Sequence, residues 1–270
     1  LSTITENMVD DYPTHADYFY LWDSTEAEAL AGQWFGNYVS ASDWSDVWLN
    51  KSFAHYFNRL YCEHKNSNAD WLLWLNTGDQ AAYFGDWSAG IRRPVVTKNY
   101  ENTETFINDN YSAIRGAMVL KMLHKHLGEE NWWKAIRHYV KSNANKSVTT
   151  EDFKQAVEDA TGEKLDWFFD QWLYKMGHPI FEVTKNYSNG KLTLNVKQTQ
   201  PIDKTEAYPQ AEFFQGKIEI EIDGKIEQIW LKPQTENVFT FSISQSPKFV
   251  NFDYENTWIR ELKFEKSFDE

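Results

Sequence analysis

The 270-residue chain has a single cysteine, Cys62, so no disulfide can form within it and no cysteine-built zinc module is available. Basic residues are in deficit. Against 40 Asp and Glu stand 27 Lys and Arg, a formal net charge of −13, and no Lys/Arg cluster offers a footprint for a phosphate backbone, which speaks against a nucleic-acid partner. Long apolar runs are missing too: the longest are about the size of Trp71–Leu75, far short of the ~20 residues a membrane span requires. No basic segment followed by an apolar one marks a secretory signal. The chain starts at Leu1 rather than Met, which reads as a mature product or a fragment. A serine nucleophile elbow, a phosphate-cradling glycine loop and a CxxC pair are likewise missing. What is abundant is apolar and aromatic mass, 41% and 17% of residues, and that excludes a disordered chain.

The hydrophobic period changes near Gly177-His178-Pro179. Before it, apolar residues recur at helical spacing. Arg115–Leu127 aligns Val119, Leu120, Leu123 and Leu127 on one stripe with Met118 and Met122 at its edge, and Gly128 follows as a stop. Asn131–Val140 reads as a second helix, with Trp132, Trp133 and Ile136 inward. A third is capped by Thr149 or Thr150 and ends by Gly162, and Leu165–Met176 is a fourth. The stretch Asn76–Asn110 reads as irregular. After Pro179 the period is two, from Phe181-Val183 to Leu262-Phe264, broken by turn signals such as Asn189-Gly190 and Asp223-Gly224. The expectation is an α+β, multi-domain chain: a helical domain over residues 1–177, then an antiparallel β-sandwich over 178–270.

Taken by themselves, the histidines form a poor metal set. His124 and His126 are two apart on a helix and face different ways. His55, Cys62, Glu63 and His64 are close in sequence, but no two histidines stand at i, i+4, so surface or core-edge positions are expected for them.

Two motifs carry more. Gln33-Trp34-Phe35-Gly36-Asn37 is followed by Trp48-Leu49-Asn50-Lys51-Ser52-Phe53-Ala54. This pair resembles the signature of the aminopeptidase N-like zinc metallopeptidases, a gluzincin family marked by H-E-x-x-H-Q-W-F-G and then W-L-N-E-G-F-A. Arg93-Pro94, Tyr100-Glu101-Asn102, Arg115-Gly116-Ala117, Trp167–Trp172 and Gly177-His178-Pro179 extend the likeness. The resemblance implies the C-terminal part of a mostly helical, thermolysin-like catalytic-type domain ahead of the sandwich. Trp34, Trp48 and Phe53 are expected in its core.

At the positions that carry the family's chemistry this chain differs. The two metal-binding histidines fall on Glu28 and Gly32, the general-base glutamate on Ala29, and the third ligand on Lys51. Gly32 offers no side-chain donor, Ala29 no carboxylate and Lys51 a cation. Zinc, expected as the cofactor in the family, is therefore not expected here, and no residue stands as a confident catalytic group. An ungapped alignment puts Ala113 at the proton-donor tyrosine, whereas a two-residue insertion brings Tyr111 to it; both stay open. Glu28 and Lys51 inherit converging positions, so either they form an ion pair across the vacated site or they are independent solvent-exposed residues.

The family's G-x-M-E-N loop and N-terminal β domain are not found, so an N-terminal domain is expected to be missing from this chain; a C-terminal helical domain is not found either. The expected function is that of an inactive peptidase-like protein that binds a peptide or a protein partner. The alternatives are an active metallo-aminopeptidase or other hydrolase using residues outside the family pattern or an upstream domain, an enzyme of another kind with Glu28, Lys51 and Tyr111 as acid–base groups, and a structural half of a larger assembly whose function an N-terminal portion or a partner supplies.

Overall fold

A computed structural model describes residues 11–66, 69–100, 102–202 and 207–267. The chain divides into two compact units, Leu1–Tyr174 and Lys175–Glu270. Glu101 of the family-like segment and the first ten residues of the expected helical domain lie outside the described residues.

The first unit is built on helices α1 (Tyr12–Ala31), α2 (Trp48–Asn66), α3 (Ala69–Ser88), α4 (Thr103–Asn108), α5 (Gly116–Leu127), α6 (Glu129–Ser142), α7 (Thr150–Thr161) and the short α8 (Asp166–Phe169). Asp11 caps α1, accepting from the Thr14 amide, and Pro13 stands in its first turn, where its missing N–H costs nothing. Thr149 and Asp152 form a capping box on α7, and Gly162 ends that helix with φ 78°. The α5 stripe is buried as expected: Val119, Leu120 and Leu123 are at most 1% exposed. Between α1 and α2 lies β1 (Val39–Ala41), which pairs in parallel with β2 (Lys146–Val148). These two three-residue strands are too short to announce themselves by alternation.

The segment read as irregular is helical through Ser88. Gly78 and Gly85 look like breakers in the sequence, yet both lie inside α3 with open space around them, so each merely weakens the helix by about 1 kcal/mol. The last expected helix of this unit also differs: after Phe169 the chain widens into a π-helical turn, Asp170–Tyr174.

Aromatic packing fixes α2 against its neighbours. Phe53 is fully buried, stacked on Phe35 at 4.4 Å and 7°, parallel to Tyr139 at 5.8 Å and edge-on to Phe153 at 5.2 Å. At the start of α2, the Trp48 indole donates to the Thr150 hydroxyl, which donates in turn to Asp46. Trp48 and Phe53 are core residues. Trp34 is not: it is 49% exposed, because the turn after α1 sends Phe35 inward and its neighbour out.

The second unit has a four-stranded sheet, in the order β7 (Glu236–Ser242), β4 (Lys191–Gln198), β3 (Ile180–Ser188), β9 (Glu261–Lys263), and a three-stranded one, β6 (Lys225–Leu231), β5 (Gly216–Ile222), β8 (Val250–Phe252). Asn189-Gly190 and Asp223-Gly224 make the two tight hairpins, all four residues at positive φ. The expectation of a purely antiparallel arrangement is corrected at one edge, where β9 joins β3 in parallel. Phe181 on β3 meets Phe252 on β8 at 5.5 Å, so the sheets share apolar contacts.

Helix α5 approaches α2 closely at Gly116, where a Cβ would collide with the Ser52 hydroxyl and come within 2.9 Å of the Ser52 Cβ and 3.2 Å of the Trp48 ring. Gly116→Ala should lower unfolding stability by ~1–3 kcal/mol in denaturant titrations, and adding Ser52→Gly should recover part of that loss.

Candidate functional site

Helices α1 and α2 carry the residues singled out by the sequence. Glu28 and Ala29 lie in the last turn of α1, and Gly32 caps it, its amide bonding to the Glu28 carbonyl. The chain then turns through Gly36, whose φ of +142° and close approach to the Gly32 carbonyl exclude a larger residue, and returns to place Lys51 in the first turn of α2.

Glu28 and Lys51 do not pair. The Lys51 ammonium donates to the Ile107 carbonyl at 2.6 Å, near the end of α4. The Glu28 carboxylate turns the other way: its Oε2 accepts from Asn58 at 3.1 Å and lies 3.4 Å from His55 Nδ1. The expected ion pair across the old site is thus corrected. Lys51 reaches a carbonyl of α4, and Glu28 finds partners on α2 one and two turns beyond Lys51.

Those partners form a buried network. His55 Nε2 lies 3.3 and 3.4 Å from the two oxygens of Asp79 on α3, and Arg59 holds the same carboxylate at 3.0 and 2.5 Å. Asn58 links outward to Ser24 and Cys62. Burial works to lower the His55 pKa, but the hydrogen bonds to Asp79 and Glu28 outweigh it, and the ring is held above the ordinary histidine value. Burial likewise works to raise Asp79, while His55 and Arg59 hold it below the usual carboxylate range; Glu28 is also held low, by His55 and Asn58. Sequence reading placed His55 at the surface or core edge and missed Asp79, which lay in the stretch taken as irregular. The available signal was spacing: Lys51, His55 and Arg59 fall at i, i+4 and i+8 on one face of α2.

Tyr111 opens a π-helical turn, Tyr111–Arg115, just before α5. Its ring is fully buried, edge-on to Tyr83 at 5.4 Å, and its hydroxyl donates to the Ile91 carbonyl at 2.6 Å. Burial, with Tyr83 adding to it, pushes the phenol's pKa far up. In the same turn, the Ser112 carbonyl accepts from Ser52 at 2.8 Å. A π turn holds extra backbone within one helical turn, which is where the unsettled spacing between Tyr111 and Arg115-Gly116-Ala117 falls. Ala113 lies inside it.

The donor set does not suit a metal. Glu28 is the one oxygen ligand left at the positions in question, Gly32 supplies nothing, and Lys51 brings a positive charge. Among the described residues no group of three or more His, Cys, Asp or Glu is placed to hold an ion. None of their helices is long and apolar enough to cross a membrane.

Comparison with known proteins finds a family profile, described as the Peptidase family M1 domain, that matches residues 23–172. Aminopeptidase M1-A of Oryza sativa subsp. japonica is 31% identical over 176 residues, 64% of this chain and 19% of that protein. Glutamyl aminopeptidase of Rattus norvegicus is 30% identical over 177 residues, 64% of this chain and 19% of its own length. Aminopeptidase 2, mitochondrial, of Saccharomyces cerevisiae matches more of the chain, 88%, at 26% identity and 24% of its own length. The chain therefore spans about a fifth to a quarter of the length of these relatives. A crystal structure of Legionella pneumophila aminopeptidase A in complex with aspartic acid superposes with a TM-score of 0.74 at 18% identity, covering 90% of this chain and 27% of that one, a likeness of fold.

The charge network generates two expectations. Asp79→Ala should cost ~3 kcal/mol or more of unfolding stability, since it leaves His55 and Arg59 without their shared carboxylate. Because His55 is raised when folded, its contribution is complete below its unfolded value of 6.5 and fades as pH climbs through the higher folded one. Asp79 is lowered when folded, so its contribution holds above 3.8 and is lost as pH falls through the lower folded value. The stability difference between the native chain and His55→Gln, followed by thermal melts against pH, should therefore be largest on the acid side of 6.5 and shrink on the alkaline side.

Proposed function

The chain belongs to the peptidase M1 family, and from that premise we propose that it is a peptidase-like protein that holds no zinc, hydrolyses no peptide and serves instead to bind a peptide or protein partner. One observation carries the reading. The residue at the third-ligand position is Lys51, and its ammonium lies against the Ile107 carbonyl. A dication seated beside that ammonium would meet like charge without a second carboxylate to offset it.

The neighbouring positions support the same reading. Ala29 has no atom that can take a proton from water, and Gly32 has no side chain to close a coordination sphere. Tyr111, the candidate proton donor, already donates to Ile91 and is shielded from solvent. The retained scaffold and the changed site are compatible because activity belongs to the side chains placed on a fold. In this reading the second unit is a two-sheet sandwich carried along with the helical one, and the cleft of the old site, or the sandwich, receives the partner.

A second reading draws on the relatives, which are named as aminopeptidases and are several times longer. There, hydrolysis would depend on residues beyond this stretch of chain.

Metal analysis with an activity assay tests both. Purified protein exposed to zinc and then desalted should retain far less than one ion per chain and leave an aminoacyl-amide uncleaved. Stoichiometric zinc together with release of amino-terminal residues would overturn the proposal. Restoring the family's residues by Glu28→His, Ala29→Glu, Gly32→His and Lys51→Glu should raise zinc retention.

A further inference from the structure

Strand β7 lies at one end of the four-stranded sheet, with β4 on one side and, among the described residues, no strand on the other. The other sheet ends are guarded in ordinary ways. β8 and β9 are three residues long, β9 with Glu261 and Lys263, while β6 carries the ion pair of Lys225 and Glu227 and runs into Lys232-Pro233. β7 has seven residues, and its one charge, Glu236, is the first of them. From Asn237 to Ser242 neither a charge nor a proline interrupts it.

The ladder with β4 fixes which backbone groups are left over. The Gln198 amide donates to the Thr235 carbonyl and the Ile243 amide to the Gly190 carbonyl, so the hydrogen-bonded pairs with β4 fall on the odd-numbered residues of this segment. Val238, Thr240 and Ser242 therefore turn their N–H and C=O groups away from β4. All three residues are exposed, Val238 at 60%. The Glu236 carbonyl points the same way and accepts from the Gln234 side chain.

We propose that β7 pairs with β7 of a second copy of this chain, antiparallel about a two-fold axis at Phe239, joining two four-stranded sheets into one. The inference is independent of whether the old site holds zinc.

Overlap and charge select this occupant and this register. Phe239 is the midpoint of the strand, so a crossing there overlaps its whole length. It sets Val238 opposite Thr240 of the second copy as a hydrogen-bonded pair, so outward backbone groups meet outward backbone groups. Phe239 meets Phe239 as a non-hydrogen-bonded pair, where side chains come closest. The chain's net charge of −13 makes two copies repel over most of their surface. Along this edge the charges complement instead. Glu236 lies beside Lys197 of its own β4 and, in the pair, opposite Ser242 of the second copy, whose β4 neighbour is Lys191. Each acid so stands between two exposed lysines in one row across the joined sheet. The contact is isologous: it uses up the same edge on both copies and closes at two chains.

Sedimentation of the full chain over a concentration series tests the inference. The chain should run as a reversible dimer in the micromolar range. Val238→Lys puts like charges diagonally across the seam, and Thr240→Pro removes an outward N–H that β4 does not use, so each should weaken dimerisation by at least about tenfold. Far-UV dichroism of both variants should match that of the native chain; if Thr240→Pro fails to fold, Val238→Lys, at an exposed position, still decides. Mixing Val238→Lys chains with Thr240→Glu chains should restore the dimer, because those two positions meet in this register. A monomer at every concentration, a dimer indifferent to Val238→Lys, or mixed chains that do not associate would each overturn the inference. A chain that stays monomeric while an unrelated extended peptide protects its Val238 and Thr240 amides from exchange would give the edge to another occupant, and overturn it too. A dimer that binds zinc and cleaves peptides leaves this inference standing and defeats the functional reading, whereas a zinc-free, inactive monomer does the reverse.

Discussion

The stacking of Phe35 on Phe53 is the contact on which the arrangement of the site depends. The two rings lie 4.4 Å apart and nearly parallel, one in the turn that follows α1 and one in the second turn of α2. Each belongs to one of the two sequence motifs, so a single apolar contact fixes where Glu28 and Gly32 stand relative to Lys51. Offset stacking of this kind contributes ~0.5–1.5 kcal/mol beyond burial, and here the cluster is extended by Tyr139, Phe153 and Trp48. The frame therefore persists on packing forces that are indifferent to the charge of the residues it presents. That independence lets a scaffold keep its shape while its polar residues change.

Much of the fold was legible because the signals were local. The α5 stripe, the Thr149 cap and the Gly162 stop are each set by a handful of adjacent residues, and the Asn-Gly and Asp-Gly hairpins require positive φ that those residues supply. What stayed hidden depends on partners far along the chain. The strands β1 and β2 exist through each other, across about a hundred residues, and β8 is a three-residue strand completed by β5. Helix α3 was obscured by its own glycines. Trp34 was misplaced because a heavily apolar motif gives no hint of which ring faces inward until the turn's path is known.

The site divides in the same way. Register along the chain sufficed to name Glu28, Ala29, Gly32 and Lys51, but not to say what their side chains meet. Convergence in a family guarantees convergence only while a common ion draws the side chains in. Here Lys51 and Glu28 lie against different groups, a carbonyl for one and an imidazole with an amide for the other. Asp79 could not be reached from sequence at all, since its role exists only once α3 packs along α2.

Lys51 and Ser52 differ together from the W-L-N-E-G-F-A pattern, and both donate to backbone carbonyls on either side of Tyr111, at Ile107 and Ser112. Those bonds join the first two turns of α2 to the backbone around the turn before α5. A glutamate at 51 would set an anion against a carbonyl oxygen, and a glycine at 52 would remove the hydroxyl that the Ser112 carbonyl accepts from, so the side chains at these two positions couple α2 to the backbone that presents Tyr111.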